Sequence, residues 1–397
     1  MILSNKAKAI SPSLTLAITA KAKKMKAEGI NVIGFGAGEP DFNTPENIQN
    51  VAVTAIKEGK TRYTAASGIA ELKDAIIKKF KIDNNLTYEQ NQIIISTGAK
   101  QCLANVFQAI LNPEDEVLIG VPYWVSYPEL VRLADGIPVF VKTEETNKFK
   151  FTIESLKNSL SKKTKAIVLN SPNNPSGTVY TKDELESIAQ FAKENNLIII
   201  SDEIYEKLLY GDEKHVSIAS LSKDAYDRTI VINGVSKAYA MTGWRIGYAA
   251  ASVEIVKLMS NIQSHTTSNP NSIAQYASVE ALTGPQDTVE AMKVEFKNRR
   301  DFMVDKINSI DNLSCVKPEG AFYVMVNISK CIGKRFNNDE IKDSLIFSDK
   351  LLNEEKVAVI PGIAFGTDEF IRLSYATSMD NIKEGLDRIE SFVKKIK

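Results

Sequence analysis

The sequence predicts an α/β protein whose larger domain is built on a mostly parallel, seven-stranded sheet sandwiched by helices. Three observations indicate this fold. Short β-branched runs alternate with helical stretches from residue 46 to about residue 283. The strand candidates are apolar along their whole length, as expected of strands buried on both faces. Helical stretches separate several of them, which is typical of parallel strands joined by crossovers.

The elements of this region follow in chain order after an amphipathic helix predicted over residues 15–28. The predicted helices are 46–58, 68–80, 100–111, 123–134, 181–195, 253–264 and 271–283. The predicted strands are 92–95, 116–119, 138–141, 166–169, 197–200, 229–232 and 246–249.

The pattern changes after Gly284 and Pro285. The predicted elements beyond them are a helix over 286–310, strands near 321–326, 357–360 and 371–375, and helices near 338–354 and 379–395. We therefore expect a smaller α+β domain formed by the N-terminal segment and the C-terminal third. The predicted boundaries are an N-terminal segment at 1–45, a large domain at 46–285 and a small domain at 286–397.

The composition excludes several classes of function. Forty-nine basic residues balance forty-nine acidic ones, so no net charge indicates a nucleic-acid or membrane-surface partner. The cysteines Cys102, Cys315 and Cys331 show no CxxC spacing, which favours a reducing cytosol over disulfides or zinc. The only histidines are His215 and His265, too few for a histidine-based metal centre. No signal peptide or bilayer-length apolar run is present, so we expect a cytoplasmic protein without a metal.

A glycine-rich stretch near the N-terminus resembles a dinucleotide-binding loop only superficially. Gly34 and Gly36 follow a strand-like lead-in, but the third glycine of the GxGxxG pattern is replaced by Glu39. Pro40 then favours an extended chain and removes a backbone donor. The stretch better fits a loop whose backbone approaches a small ligand.

Unusual polar residues directly follow four of the predicted strands. They occupy residues 96–100, 170–175, 201–205 and 233–237. Ligands of parallel α/β sheets bind beyond the carboxyl ends of the strands, so these four segments are expected to meet at one edge. This convergence carries more weight than any single motif.

Each segment has a functional and a structural interpretation. Residues 96–100 (STGAK) open a helix, and they either hold an anion such as phosphate or form an ordinary helix cap. Asp202 could hold a protonated ring nitrogen, with Tyr205 bonding a ring oxygen, or it could cap a helix. Asn174 could donate to a ligand oxygen or belong to a turn.

Two basic residues also have both a functional and a structural interpretation. Lys237 lies in a turn of small residues after a strand, a position that allows close approach to a ligand but is also compatible with a solvated lysine. Arg372 lies within the predicted strand near 371–375. Its side chain could bind a substrate carboxylate through two parallel hydrogen bonds or form a structural ion pair.

Taken together, these residues resemble the class I aminotransferases, the pyridoxal-phosphate enzymes of fold type I. The resemblance covers nearly the whole chain. It is closest to bacterial aspartate aminotransferases of the subgroup that lacks an active-site arginine from the partner subunit. The matching stretches are 36–41 (GAGEPD), 96–98 (STG), 122–128 (PYWVSYP), 170–177 (NSPNNPSG), 201–205 (SDEIY), 236–247 (SKAYAMTGWRIG) and 372–376 (RLSYA).

The resemblance implies a role for each candidate. It implies that Lys237 forms the Schiff base with pyridoxal 5'-phosphate and shuttles the proton, that Asp202 keeps the pyridine nitrogen protonated, and that Tyr205 bonds the ring oxygen. The implied cofactor-binding residues are Gly98, Ala99, Lys100, Trp124, Asn174, Asp202, Tyr205, Ser236, Lys237, Arg245 and Tyr63, the last reaching from a second subunit of a homodimer. The implied substrate-binding residues are Gly38, Lys100, Trp124, Asn174 and Arg372.

The implied reaction is a ping-pong exchange of L-aspartate and 2-oxoglutarate for oxaloacetate and L-glutamate. Lys100 favours acidic substrates, since the resembling subgroup uses a lysine here to pair the distal carboxylate. An aromatic, kynurenine, prephenate or broad-specificity aminotransferase and a Cβ-lyase remain alternatives. Prephenate-accepting members carry a basic residue where this chain has Ser11.

A regulator using an aminotransferase-like domain would need a DNA-binding domain, and no helix-turn-helix pattern precedes the large domain.

Overall fold

The computed structural model describes residues 3–211 and 214–397. Its α-helices are α1 (Asn5–Lys8), α2 (Leu14–Ala27), α3 (Glu46–Lys57), α4 (Ala70–Asn84), α5 (Ala99–Ile110), α6 (Ser126–Leu133), α7 (Ile153–Ser159), α8 (Lys182–Glu194), α9 (Lys223–Arg228), α10 (Val253–Thr266), α11 (Ser272–Thr283), α12 (Asp287–Asn308), α13 (Ser344–Glu355) and α14 (Met379–Lys394). Its strands are β1 (Ile33–Gly34), β2 (Ile93–Ser96), β3 (Glu116–Val121), β4 (Ile137–Lys142), β5 (Thr164–Asn170), β6 (Ile198–Asp202), β7 (Thr229–Gly234), β8 (Gly247–Ala250), β9 (Ser314–Cys315), β10 (Tyr323–Asn327), β11 (Arg335–Phe336), β12 (Asp339–Glu340), β13 (Val357–Ala358), β14 (Ile360–Pro361) and β15 (Phe370–Ser374).

The large sheet contains the seven predicted strands in the order β2-β8-β7-β6-β5-β3-β4. Strands β7, β6, β5, β3 and β4 pair in parallel, whereas β8 runs antiparallel to both β2 and β7. Six strands therefore end at one edge. Because β8 runs in the opposite direction, the residues that precede it lie at that same edge. The residues at this edge therefore come from the start of one strand as well as from the ends of the six others.

Both faces of this sheet are covered, as the apolar strands predict. Ile94, Ile200 and Ile232 pack into one core cluster with apolar side chains of α5, α6 and α10. Their neighbours on the opposite face, such as Ile167 and Ile199, pack with apolar side chains of α8. Successive residues of a strand point to opposite faces, so a strand buried on both sides must be apolar throughout.

A second, four-stranded antiparallel sheet has the order β14-β15-β10-β9. Side chains of α12, α13 and α14 share its core cluster. The N-terminal segment reaches the same region, because β1 pairs in parallel with β13 through Ile33 and Val357. The mixed α/β fold class is therefore confirmed. The boundaries at residues 45 and 285 stay a prediction.

Three predicted elements differ from the structure. The helix expected over 338–354 begins only at Ser344, because Asp343 caps it by accepting a hydrogen bond from the Ile346 amide. The residues before it form β12, which pairs with β11. The strand expected over 357–360 is divided into β13 and β14, which pair with different partners.

The N-terminal end of the helix expected over 123–134 is also wrong. That helix, α6, begins at Ser126, and residues 123–125 form an irregular segment beside the binding edge. The short helices α7 and α9 were not predicted, since each contains fewer than eight residues and shows little periodicity. Within the described residues, no helix combines the length and the apolar composition needed to cross a membrane.

Candidate active site

A cavity of about 610 Å³ lies at the carboxyl edge of the large sheet and against the smaller sheet. Eleven of the thirteen predicted site residues line it. They are Gly38, Ala99, Lys100, Trp124, Asn174, Asp202, Tyr205, Ser236, Lys237, Arg245 and Arg372. Gly98 lies directly behind the cavity wall, and Tyr63 lies elsewhere, with 92% of its surface exposed.

Lys237 lies in the turn that follows β7. Its Nζ donates a hydrogen bond to the carbonyl oxygen of Gly38 at 2.6 Å. Burial lowers the pKa of Lys237 to about 8; Glu39 opposes this shift, and the guanidinium of Arg245 adds to it. A lysine whose amine loses its proton this easily can act as a nucleophile and as a base near neutral pH.

Asp202 ends β6 and is 4% exposed. Its Oδ2 accepts a hydrogen bond from the Tyr127 hydroxyl at 2.7 Å, and its Oδ1 accepts one from the Ile204 amide at 3.3 Å. Burial raises the pKa of Asp202 to about 6, while the hydrogen bond from Tyr127 opposes that rise. This carboxylate therefore lies in a cavity where it can bind a cationic ligand group.

Tyr205 lies three residues beyond Asp202, and its hydroxyl is 3.1 Å from that of Tyr323 on β10. Burial raises the pKa of both phenols, so each stays protonated and can donate one hydrogen bond. The pair joins the large sheet to the smaller one at the cavity wall.

Arg372 lies on β15 and is 3% exposed. Its Nη1 donates to Oδ1 of Asn174 at 3.1 Å, and its Nη2 donates to the carbonyl oxygen of Gly36 at 3.1 Å. Its guanidinium carbon lies 4.3 Å from the ring centroid of Tyr323. Among the described residues the guanidinium contacts no carboxylate, and its buried Nε has no hydrogen-bond partner. The structural ion pair considered for Arg372 is thus absent from the described part of the chain.

A turn of small residues meets an arginine at the start of α5. Gly98 has φ +83°, and a side chain on it would bring its Cβ within 2.4 Å of Nη2 of Arg245. Arg245 precedes β8, and its Nη1 donates to the carbonyl oxygen of Thr242 at 2.8 Å. Ala99 begins α5, whose first amides have no partner within the helix. A guanidinium beside free amides at a helix N-terminus forms an anion site.

Lys100 extends from the same helix turn toward an aromatic wall. Its Nζ lies 5.0 Å from the ring centroid of Trp124. Burial lowers the pKa of Lys100, and the nearby charge of Arg245 adds to the effect. In residues 3–211 and 214–397 its ammonium group forms no ion pair, which leaves it available to an anionic ligand.

Three potential metal ligands that were not predicted from the sequence lie close together: Glu203, Glu206 and His215. The side chains already bind each other and their neighbours. Glu206 forms an ion pair with Lys79, and Oε2 of Glu203 lies 3.0 Å from Nε2 of His215. A metal ion placed among them would be repelled by the Lys79 ammonium group. The group is better described as a buried ionic network behind Asp202.

The comparisons with known proteins agree with this geometry. The sequence model of the family "Aminotransferase class I and II" matches residues 30–389. The aspartate aminotransferase of Bacillus subtilis is 53% identical over 395 residues, covering 100% of both chains.

The chain belongs to the class I and II aminotransferases.

Two further matches extend the comparison. An aspartate/prephenate aminotransferase from Nitrosomonas europaea is 46% identical over 397 residues, covering 99% of this chain and 100% of its own. The solved structure of an aspartate aminotransferase from Thermus thermophilus with maleate superimposes with a TM-score of 0.93. It is 41% identical and covers 99% of this chain and 100% of its own. The aminotransferase fold predicted from the sequence is confirmed.

Two residues of this cavity wall were not predicted from the sequence. Tyr127 donates to Asp202, and Tyr323 contacts both Tyr205 and Arg372. A signal for each was present in the sequence. Tyr127 lies within the matched stretch 122–128, and Tyr323 is a hydroxyl-bearing residue inside an apolar strand. A buried tyrosine in such a place usually has a hydrogen-bond partner, but the sequence does not say which one.

Proposed function

We propose that the protein is a pyridoxal-phosphate-dependent aspartate aminotransferase. It exchanges L-aspartate and 2-oxoglutarate for oxaloacetate and L-glutamate in a ping-pong reaction. One observation carries the proposal: the buried guanidinium of Arg372 lacks a carboxylate partner within the described residues and faces the same cavity as Lys237. A buried cation without a counter-ion is costly, and an amino-acid carboxylate would compensate it.

The residues present fit pyridoxal phosphate at both of its charged ends. Ser236, Ala99 and Arg245 line the cavity together, and the missing side chain of Gly98 lets the Arg245 guanidinium lie against the turn, which suits a phosphate group. Asp202 supplies a buried carboxylate for a protonated ring nitrogen. When bound, this cofactor supplies a protonated pyridine ring that withdraws electrons from the amino acid and acidifies its Cα–H bond.

The protein groups around that ring would bind it and fix its orientation. Tyr205 and Asn174 would donate hydrogen bonds to the ring oxygen, and Trp124 would pack on the ring face. Asp202 would pair with the protonated ring nitrogen. Burial raises the pKa of this carboxyl, and a cation beside it would lower that pKa again. The roles of these residues follow from their common position on the cavity wall.

Lys237 would hold the cofactor through its ε-amino group and, as a free amine, would be the base that takes up and returns the substrate Cα proton. The amine must be uncharged to do so. Burial together with Arg245 and Arg372 lowers the pKa of Lys237 to about 8. A fraction of the amine is therefore unprotonated near neutral pH and can accept a proton.

Tyr127→Phe is expected to lower kcat for aspartate by about 10-fold. Without this hydrogen bond the pKa of Asp202 rises, so the carboxyl is protonated more readily and pairs less well with a cationic ring nitrogen. Steady-state kinetics between pH 6 and pH 9 measure the effect. Tyr123→Phe is the matched control, since the Tyr123 hydroxyl makes no hydrogen bond among the described residues and its ring stacks on Phe140 at 5.0 Å. Equal activity of the two variants would contradict the role of Tyr127.

The cavity offers two cations to the two carboxylates of an acidic substrate. Arg372 binds the α-carboxylate, with Gly38 contributing its backbone. Lys100 binds the distal carboxylate, and its ammonium group has no ion-pair partner among the residues described. The Thermus relative carries maleate, a dicarboxylate, in its solved structure. This supports a preference for aspartate and glutamate.

Lys100→Ala is expected to lower kcat/KM for aspartate by about 10- to 100-fold, since a hydrogen bond between two charged groups is lost. Turnover of phenylalanine should stay within about 2-fold, because that substrate has no distal carboxylate. Lys23→Ala is the control, as Lys23 lines the same cavity from the surface of α2. Unchanged aspartate turnover in Lys100→Ala would remove the argument for acidic substrates.

A substrate panel tests the proposed function against its alternatives. The Nitrosomonas relative is named for prephenate as well as aspartate, so prephenate is the second candidate. Ser11 offers no cation for it, because a serine side chain carries no charge. Aspartate should be the best amino donor among aspartate, phenylalanine, kynurenine and cystathionine, and 2-oxoglutarate should be a better amino acceptor than prephenate. Faster turnover of an aromatic donor, or cleavage of cystathionine by a Cβ-lyase reaction, would contradict the proposal.

We also propose a cytoplasmic homodimer in which Tyr63 reaches the partner's phosphate site. Tyr63 is 92% exposed, an unusual value for an aromatic side chain that the resemblance places in a binding site. A second subunit would cover it. The cysteines Cys102, Cys315 and Cys331 form no disulfide within the described residues, which is compatible with a cytoplasmic location.

A further inference from the structure

Gln263 lies near the end of α10 and is completely buried. Its carboxamide makes all four hydrogen bonds that an amide side chain can make. Oε1 accepts from the Ser96 hydroxyl at 2.5 Å and from Nδ2 of Asn105 at 2.9 Å. Nε2 donates to the carbonyl oxygens of Ala66 at 2.6 Å and Ile95 at 2.8 Å.

These four partners belong to three separate parts of the chain. Ile95 and Ser96 end β2, directly before the turn with Gly98 that forms the anion site. Asn105 lies on α5, whose N-terminus provides the free amides of that site. Ala66 lies in the loop that carries Tyr63. A single side chain therefore joins the anion-binding turn, the helix behind it and the Tyr63 loop.

The side-chain amide of Gln101, on α5, adds a second connection between this region and the end of α10. Oε1 of Gln101 accepts from the Thr97 amide at 2.6 Å, and its Nε2 donates to Thr267 at 2.6 Å, just beyond α10. The end of α10 is thus tied twice to residues 95–101. Gly98 has φ +83° in this segment and packs against the Arg245 guanidinium, so a small displacement of the turn would separate the anion-binding groups.

We propose that Gln263 is a positioning residue for cofactor binding that acts on the phosphate and not on the ring. It holds the turn at residues 96–99 and the Tyr63 loop in one fixed arrangement before the phosphate arrives. This inference rests on the proposed function. Binding groups that are already in place lose less entropy when the ligand binds, so the affinity for the phosphate depends on this anchoring.

The test compares pyridoxal phosphate with pyridoxal, which has the same ring and aldehyde but no phosphate. The dissociation constant of each is measured on apoprotein of the full chain. Gln263→Met keeps the length of the side chain and removes its hydrogen bonds. We expect pyridoxal phosphate to bind about 10-fold more weakly than to the wild type, and pyridoxal to change less than about 2-fold.

Two further variants make the comparison specific. Ser96→Ala removes one of the four hydrogen bonds and should weaken pyridoxal phosphate binding by about 3-fold, so it carries the test if Gln263→Met does not fold. Gln286→Met is the matched control. Its amide bonds Tyr239, Ala281 and Gly284 away from the anion site, and the variant should keep the wild-type ratio of the two constants.

The outcomes separate this inference from the proposed function. Wild-type protein that binds neither aldehyde contradicts the proposed function. Wild-type protein that prefers pyridoxal phosphate, while Gln263→Met and Ser96→Ala keep the whole preference, contradicts the positioning role alone. Equal weakening of both aldehydes also contradicts it, because a general structural role would affect ring and phosphate alike.

Discussion

Replacing Lys237 with alanine is expected to lower kcat for aspartate transamination by about 10⁴-fold, because the variant loses its proton-transfer group. The same variant should lose covalent attachment of pyridoxal phosphate. Intact mass after borohydride reduction measures attachment, and steady-state kinetics measure turnover. The geometry that supports this expectation is the position of the Lys237 amine in the cavity, with its pKa lowered to about 8.

The control for Lys237→Ala is chemical rescue. Methylamine is small enough to enter the space that the lysine side chain leaves, and it should restore part of the turnover in a concentration-dependent manner. The rescued rate should rise with pH as the added amine loses its proton. A variant that keeps wild-type turnover, or that still carries the cofactor covalently, would show that another residue performs this chemistry.

Arg372→Lys is expected to lower kcat/KM by about 10²- to 10³-fold for every amino-acid donor, because a buried, hydrogen-bonded charge pair with the substrate carboxylate is disrupted. Lysine keeps the charge but cannot form the two parallel hydrogen bonds of a guanidinium. Because all amino acids share the α-carboxylate, aspartate and phenylalanine should lose the same factor. Lys100→Ala differs in this respect, since it should affect acidic donors only.

Arg300→Lys is the matched control for this prediction. Arg300 is also buried and lies over an aromatic ring, that of Tyr210 at 5.0 Å, but it is paired with Asp301 at 2.7 Å. Its replacement should change thermal stability and leave kcat/KM within about 3-fold. If both arginine variants lost the same activity, the loss would reflect packing and not recognition of the substrate carboxylate.

The sequence predicts the large sheet well because each strand can be identified from its own residues. Each strand is a short apolar run, and the segments after β2, β5, β6 and β7 contain the polar residues of the site. Parallel strands bring those segments together without further information. This is why Lys237 and Asp202 could be predicted as neighbours although 34 intervening residues separate them along the chain.

The remaining parts of the site depend on pairing that the sequence does not specify. Arg245 reaches the site because β8 runs antiparallel to β7. The apolar pattern of the sequence predicts a strand here but not its direction. The contacts of Tyr127 with Asp202 and of Tyr323 with Arg372 join residues 75 and 49 positions apart. The absence of an acid beside Arg372 in the described residues is likewise a property of the packed structure. Gln263 gave no sequence signal, since one glutamine in a helix is usually a surface residue.

The reaction in the absence of an amino acceptor tests the central claim most directly. Purified protein loaded with pyridoxal phosphate is mixed with excess L-aspartate, and oxaloacetate and ammonia are both measured. We predict one equivalent of oxaloacetate per subunit and no ammonia. After the excess L-aspartate has been removed, 2-oxoglutarate should then yield one equivalent of L-glutamate per subunit. Continuous release of ammonia and keto acid without 2-oxoglutarate, or no oxaloacetate at all, would contradict the proposed aminotransferase reaction.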